Sequence, residues 1–413
     1  MLSGLLGERL GHSYSPAIHA MLGNSHYQLF EVPPADLGAF LARPDLDALN
    51  VTIPYKEAVR PYLYAESDAA KAIGCVNSLV RDKLGRWIGH NTDFDGFAYL
   101  LDTLAGDVRG KKCLVLGGGA TSKTVHAVLA ARQAGEILHI VRHDGISYDD
   151  LPRHRDAEWI INTTPVGMYP KTPAVLLHPA DFPALEGLVD VIYNPLRSAL
   201  VLEAQAAGIP ASGGLPMLVA QAVYAHGYFT GQPPALARIE EICNRLRSAR
   251  ENIVLIGMPG VGKSTLAQQL ADSLDRPWVD LDDAFAAEYG PAGDFITAQG
   301  EEAFRRLETT LAERYGKESG LIIACGGGIV TRPENEGFLR QNGRIYHLTR
   351  PLEDLAWAGR PLSKGGAALA ALWAERAPLY RQFADCTLSC TDLPAALTAI
   401  KEDYFENTRL KRP

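Results

Sequence analysis

IVLIGMPGVGKST, residues 253–265, reads as a short apolar strand that breaks into glycine and lysine and then into the helical run TLAQQLADSL (265–274). The stretch Gly257-Met258-Pro259-Gly260-Val261-Gly262-Lys263-Ser264 meets the G-x-x-x-x-G-K-[ST] pattern at each fixed position. In a strand-loop-helix setting such a loop cradles nucleotide phosphates on its backbone amides. Lys263 reaches the terminal phosphates and the Ser264 hydroxyl holds Mg²⁺. The expected ligands of this segment are ATP and Mg²⁺, with Pro259, Gly260, Val261, Gly262, Lys263, Ser264 and Thr265 around the phosphates.

A second glycine loop, CLVLGGGATSKT (113–124), lies far upstream, again between an apolar strand and a helical run. Gly117, Gly118 and Gly119 lack Cβ atoms, so the chain can turn tightly and let a pyrophosphate sit at the helix N-terminus beside Ala120. The G-x-G-x-x-G spacing fails at its last position, where Ser122 stands. The next strand, ILHIV (137–141), ends in Val141-Arg142-His143. A carboxylate there bonds the ribose hydroxyls of NAD, whereas a cation accommodates the extra phosphate of NADP. Arg142 therefore favours NADP(H), with Asp144 close by as the opposing signal.

Two nucleotide-type loops so far apart imply two sheets, and 413 residues allow about two to three domains at ~150 residues each. A net charge of −8 argues against a surface that neutralises nucleic acid or coats an anionic membrane. No apolar run approaches the roughly 18 residues of a membrane span, and MLSGLLGERLGHS lacks a signal layout. The expected location is cytoplasmic. The six cysteines show no C-x-x-C pair, so reduced structural thiols are expected; Cys386 and Cys390 are the nearest two.

Residues 1–100 carry strand-like LDALNVTIP and CVNSLVR between helical SPAIHAMLG and EAVRPYLYA, the pattern of a separate α/β unit. After the first glycine loop, ILHIV, WIINTT (159–164) and DVIYN (190–194) alternate with helical stretches, as in a doubly wound parallel sheet. The run LARIEEICNRLRSAREN (236–252) is helical and then turns charged and small, which places a domain junction near Ser248. The expected division is a substrate lobe at 1–100 completed by 213–245, a Rossmann-like NADP-binding domain at 101–212, a linker at 246–251 and a P-loop nucleotide-binding domain at 252–413. The fold class is α/β throughout, the last domain a parallel sheet flanked by helices.

Four polar clusters punctuate the first part: His12-Ser13-Tyr14-Ser15-Pro16, Asn50 to Lys56, Cys75-Val76-Asn77-Ser78, and Asn91-Thr92-Asp93. Each alone reads equally as turn or capping chemistry. In this order, with GLLGERLGHSYSP, NVTIPYKE, IGCVNS, GHNTDFDGF, GGGATSK, INTTPVGM, DVIYNP and GGLPMLVAQA, the segment 1–245 resembles shikimate dehydrogenases. That resemblance implies that Ser13, Ser15, Thr52, Asn77, Asp93, Tyr193 and Gln221 surround a substrate carboxylate and hydroxyls. It makes Lys56 and Asp93 the catalytic pair and adds Gly214 to the cofactor residues. The residue types suit the chemistry, since an ammonium supplies the proton that a ketone takes up on hydride reduction. A structural salt bridge is the alternative reading of the pair. Relatives often have Asn-Arg-Thr where Val141-Arg142-His143 stands and a further glycine at Ala120.

Beyond the P-loop, DLDDAF (280–285), GEEAFRRLE (300–308), CGGGIV (325–330), RPL (360–362) and RAPLY (376–380) follow in order. Carboxylates there can orient a hydroxyl or metal, and separated arginines can grip a carboxylate. With GMPGVGKST these segments make 252–400 look like shikimate kinase. The likeness implies that Asp282, Arg305, Gly327 and Arg376 hold the acceptor, Asp282 orienting the attacking hydroxyl. Asp280 would support the metal's water shell, and Arg360, on a lid, would reach the phosphates. The lid WAGRPLSKGG is short, and the arginine often found beside adenine is not evident in TDLPAALTAIK.

The sequence thus points to a bifunctional enzyme whose substrates are the small molecules 3-dehydroshikimate and shikimate, without nucleic-acid or membrane partners. A quinate/shikimate dehydrogenase carrying a non-catalytic nucleotide-sensing module is the rival. Oligomeric state is left open.

Overall fold

The computed structural model describes residues 2–11, 13–104, 106–143, 145–170, 175–355 and 366–408. The chain forms two compact units. One comprises the residues up to Asn194 with Ser198–Cys243; the other comprises Pro195–Arg197 with the residues from Asn244 on.

The first unit contains two sheets. In the N-terminal one the spatial order is Gln28–Glu31, Ser3–Gly7, Ala48–Val51, Ser78–Arg81, Trp87–His90, Ala65–Glu66. The first three strands are parallel, and Ser78–Arg81 runs antiparallel to both of its neighbours. Leu6, Leu49, Val51, Val76 and Leu79 form its buried core. The helix expected over EAVRPYLYA does not form as one element. Tyr55–Ala58 makes a single helical turn, Arg60–Tyr62 a 3₁₀ turn, and Ala65–Glu66 a short strand. Pro61 has no N–H to continue an α-helix, which accounts for the break.

The second sheet is wholly parallel, in the order Glu136–Ile140, Lys112–Leu116, Trp159–Asn162, Gly187–Asp190, Ala211–Ser212. Strand order reverses beside Lys112–Leu116, and ligands of open α/β sheets bind at such a switch point, outside the carboxyl ends of the strands. The strand expected at 190–194 is instead Gly187–Asp190. Asp190 turns the chain out of the sheet, its buried carboxylate accepting hydrogen bonds from the Ile192 amide, Asn162 Nδ2 and Ser198 Oγ. Helix Leu215–Thr230 returns over helix Thr92–Asp102, and its Ala225 and Phe229 join Leu5, Tyr27 and Ala48 in a buried cluster of the N-terminal lobe.

Helix Ala237–Arg250 covers residues 246–250, and its Ile239, Ile242, Cys243 and Leu246 repeat at helical spacing and are buried. The third sheet, parallel throughout, has the order Trp278–Asp280, Ile322–Ala324, Asn252–Ile256, Gly343–Thr349, Cys386–Ser389. Its central strand Asn252–Ile256 is buried at each residue and delivers the P-loop to the carboxyl edge. Among the described residues no helix is long and apolar enough to cross a membrane, and the six cysteines are free thiols.

Two buried histidines give the fold an acid limit. His19 stacks on Tyr27 with ring centroids 3.9 Å apart and meets Asn50 Oδ1 at 3.1 Å. Burial first, then His226, push its pKa down to about 3. His347, stacked on Tyr380 at 4.9 Å, is pushed down to about 4 by burial, then Arg381 and Lys263. Both are therefore neutral in the fold but take up protons near 6.5 when unfolded. Their stabilisation is complete above pH 6.5 and is lost as pH falls toward 4 and 3, at ~1.4 kcal/mol per histidine for each pH unit. Thermal unfolding is expected to shift down between pH 7 and 5, and His347→Phe should lessen the shift; a midpoint that stays constant over that range contradicts the assignment.

Candidate active sites

In the first unit, strand Ala48–Val51 ends at Thr52, and the turn Tyr55–Ala58 carries Lys56. The neighbouring backbone is fixed by bonds from the Val51 amide to Asn77 O at 2.8 Å and from the Asn77 amide to His90 O at 3.1 Å. Asn91 then caps helix Thr92–Asp102, its side chain accepting from the Phe94 amide at 3.2 Å. Asp93 stands in the first turn of that helix. Lys56 Nζ lies 2.5 Å from Asp93 Oδ2, with only 14% and 11% of the two side chains exposed. Asn77 Oδ1 accepts from the Thr92 amide at 2.7 Å and the Thr92 hydroxyl at 3.2 Å, so Asn77 anchors the helix end that presents Asp93. These three residues form one connected group.

The remaining residues expected here lie on several elements of the first unit. Ser13 Oγ accepts from the Ser15 amide at 3.2 Å, at the start of helix Ser15–Met21. The Tyr14 ring meets Tyr193 edge-on, centroids 5.0 Å apart, which brings the loop after Gly187–Asp190 to the serine cluster. Gln221 crosses Gly96, one turn along from Asp93; a Cβ on Gly96 would stand 3.0 Å from Gln221 Cβ and 2.7 Å from Met217 O. Its Nε2 donates to Leu218 O at 2.8 Å within its own helix. Thr52 packs its methyl group against Gly7. Among the described residues, no hydrogen bond ties Ser13, Ser15 or Thr52 to the Lys56–Asp93 pair.

The Gly117 loop sits at the switch point of the second sheet. Gly117 has φ +113°, a left-handed conformation that favours glycine, and a Cβ there would lie 2.7 Å from Thr163 Oγ1. Gly118 and Gly119 are exposed, nothing would meet a Cβ on Gly119, and helix Ala120–Ala131 opens without a side-chain cap. An uncapped helix end fronted by open backbone fits a pyrophosphate. Leu116 pairs with Ile140, so the two strands end side by side and exposed Arg142 stands near the loop. Gly214 approaches the Val191 backbone too closely for any Cβ, and its amide donates to Ile192 O at 2.8 Å. Asp144 and His12 lie outside the described residues.

In the second unit, a cavity of about 730 Å³ is lined by the P-loop residues Pro259, Gly260, Gly262, Lys263, Ser264 and Thr265 together with Asp280, Asp282, Arg305, Gly327 and Arg376. Val261, in the same loop, is buried. Lys263 Nζ donates to Gly257 O at 2.9 Å and Met258 O at 3.1 Å. Ser264 Oγ bonds the Asp280 carboxylate, which also accepts from the Asp282 amide at 2.9 Å. A hydroxyl and a carboxylate joined beside a phosphate loop fit Mg²⁺, which usually keeps several waters and takes few protein ligands. Arg376 Nη1 donates to Gly327 O at 3.0 Å. Arg360 lies outside the described residues.

Of the triple glycine after strand Ile322–Ala324, Gly327 and Gly328 line this cavity. A Cβ on Gly326 would stand 2.6 Å from Asp282 Oδ1 and 2.7 Å from Glu308 Oε1; one on Gly327 would press on Pro259 at 2.8 Å; one on Gly328 would overlap the Arg305 guanidinium. Bare backbone thus lets the charged groups lie flat against it. Glu308, which the sequence reading passed over, holds Arg305 Nη1 at 2.8 Å, while Glu301 holds Nη2 at 3.0 Å. The signal was present in GEEAFRRLE, where Glu301, Arg305 and Glu308 share a helix face at i, i+4 and i+7. Burial acts against the Arg305 charge, but Glu308 and Glu301 outweigh it and its pKa rises; burial also pushes the Glu308 carboxyl up, against Arg305. Gly328→Ala should displace Arg305 and reduce kcat/KM for a carboxylate acceptor at least about 30-fold, with KM for ATP nearly unchanged. Steady-state kinetics with each substrate varied would check this, and an equal loss toward both substrates would contradict it.

Both parts of the chain are similar to known proteins. A family model described as shikimate dehydrogenase substrate binding domain matches residues 5–79, and one described as shikimate kinase matches residues 259–404. The chain is 33% identical over 268 residues to shikimate dehydrogenase (NADP(+)) of Clostridium perfringens, covering 60% of this chain and 98% of that protein. Among solved structures, a chorismate mutase/shikimate 5-dehydrogenase fusion protein from Clostridium acetobutylicum aligns with a TM-score of 0.56 at 34% identity, over 59% of this chain and 96% of that one. Shikimate 5-dehydrogenase from Thermus thermophilus, in complex with NADP(H) and shikimate, aligns with a TM-score of 0.53 at 30% identity, over 59% and 99%.

Proposed function

We propose, from a chain that belongs to the shikimate dehydrogenase family and carries a shikimate kinase domain behind it, that one polypeptide reduces 3-dehydroshikimate to shikimate with NADPH and then phosphorylates the shikimate 3-hydroxyl with ATP and Mg²⁺. When bound, NADPH supplies the hydride, and ATP with its metal supplies the phosphoryl group. In the first site Lys56 donates a proton to the ketone oxygen as negative charge grows there. Asp93, 2.5 Å away, holds the ammonium in position. Asn77, Ser13, Ser15, Thr52, Tyr193 and Gln221 orient the ring's carboxylate and hydroxyls, within a substrate lobe formed by 1–100 and 213–245. Gly117 to Ala120, with Gly214, hold the pyrophosphate, and Arg142 meets the extra phosphate that distinguishes NADPH.

In the second site Arg305 and Arg376 grip the acceptor carboxylate beside Gly327, and Asp282 orients the attacking hydroxyl. Lys263 steadies the transferring phosphoryl group, Ser264 and Asp280 hold the metal and its water shell, and Arg360 completes the clamp. The observation that carries this reading is that each unit pairs a phosphate-type glycine loop with its own charged acceptor groups: Lys56 with Asp93 in one, Asp282 with Arg305 and Arg376 in the other. A nucleotide-sensing module needs no acceptor grip.

Two assays test the reading. NADPH oxidation should be driven by 3-dehydroshikimate, and in the reverse direction NADP⁺ with shikimate should outpace NAD⁺ with quinate; the opposite order would overturn the substrate and cofactor assignment. Shikimate should drive ADP formation from ATP. Binding of ATP with no ADP formed would overturn the kinase assignment in favour of sensing.

A further inference from the structure

The Gly117 loop rests on a chain of polar side chains for which the reaction scheme has no role. Ser122 Oγ lies 2.8 Å from Gly117 O and 2.9 Å from His139 Nδ1; His139 Nε2 lies 3.0 Å from His126 Nδ1. Ser122 occupies the first turn of helix Ala120–Ala131, His126 the next turn, and His139 the adjacent strand Glu136–Ile140. Donor counting fixes the direction of the chain. A carbonyl oxygen only accepts, so the single hydroxyl proton of Ser122 goes to Gly117 O. The hydroxyl oxygen then accepts from His139 Nδ1–H. A neutral imidazole protonated there keeps its lone pair on Nε2, which accepts from His126 Nδ1–H. Burial first, then His126, lower the His139 pKa against a backbone hydrogen bond with Gly117 that raises it, consistent with that neutral ring.

The carbonyl of Gly117 and the N–H of Gly118 belong to one planar trans peptide and point in opposite directions. A carbonyl held inward by Ser122 therefore turns the Gly118 amide outward, beside exposed Gly119 and the uncapped helix end. Gly117, at φ +113° and without a Cβ, restrains that peptide plane little by sterics, and the Ser122 bond to its carbonyl orients it.

We propose that His139 is a positioning residue for the dinucleotide loop, acting through Ser122 to lock the Gly117–Gly118 peptide with its N–H toward the cofactor pyrophosphate. The serine at the last position of the glycine pattern then replaces close glycine packing with a directed hydrogen bond. This rests on the reading of the loop as an NADPH site, and the test separates the two.

NADPH binding to the full chain is measured by fluorescence titration for the wild type and for Ser122→Ala, His139→Leu and His139→Asn, with steady-state kinetics alongside. Loss of the held hydrogen bond in Ser122→Ala and His139→Leu should raise the NADPH dissociation constant about tenfold, with a much smaller fall in kcat at saturating cofactor. His139→Asn places an amide N–H near the former Nδ1 and should restore affinity to within about threefold of wild type. Wild-type affinity in both Ser122→Ala and His139→Leu would overturn the proposal, as would equal weakening by His139→Leu and His139→Asn, which would reduce His139 to packing. A wild-type chain that binds no NADPH would overturn the cofactor reading itself, and this proposal with it.

Discussion

Lys263→Ala is expected to abolish shikimate-dependent ADP formation, by about 10³-fold or more, while NADPH oxidation by the same chain stays within about twofold of wild type. The size of the effect follows from where the ammonium sits. Lys263 is buried, and its Nζ is held by the carbonyls of Gly257 and Met258, inside the loop proposed to wrap the phosphates. A fixed positive charge in a site shielded from water offsets developing charge on the phosphoryl oxygens far better than a solvated one, and it needs no rearrangement as the reaction proceeds. The remaining loop amides still bind ATP, so the loss should appear in kcat more than in KM for ATP. Steady-state kinetics of both half-reactions on one preparation would check it.

Lys56→Ala is the mirror of that result. Ketone reduction should fall about 10³-fold or more while phosphorylation of added shikimate stays within about twofold. Removing the ammonium withdraws the proposed proton donor and leaves the Asp93 carboxylate, 11% exposed, without its ion-pair partner. An uncompensated buried charge destabilises its surroundings, so a lowered unfolding midpoint should accompany the loss. Asp93→Asn in the same background should recover stability without recovering reduction, which separates folding from chemistry. If either lysine substitution disables both activities in a folded chain, the two sites are not independent.

Much of this architecture was legible because glycine marks where a strand must stop and turn. The stretches CLVLGGGATSKT and IVLIGMPGVGKST each announced a strand, a phosphate-type loop and a helix, and both loops lie at the carboxyl edges of parallel sheets. The connection of Lys56 with Asp93 was legible only through the resemblance to a family, since the two residues are far apart in sequence and meet through the packing of a turn against a helix. The shift of one strand to Gly187–Asp190 was not readable from apolar pattern. The hydrophobic run continues through Val191 and Ile192, and it is the Asp190 carboxylate, bonded to Asn162 and Ser198, that bends the chain away. Glu308 was hidden for a related reason: a glutamate on a charged helix reads as solvated surface until the fold buries it against Arg305. The tie between Ser122 and His139 spans two elements and leaves no spacing signature.

The most direct test of the central claim supplies the full-length protein with 3-dehydroshikimate, NADPH, ATP and Mg²⁺ and follows the products by chromatography. The account predicts shikimate 3-phosphate, with one NADPH oxidised and one ADP formed for each molecule made. Shikimate accumulating as the end product with ATP untouched would contradict it, as would ATP consumed without any oxidation of NADPH.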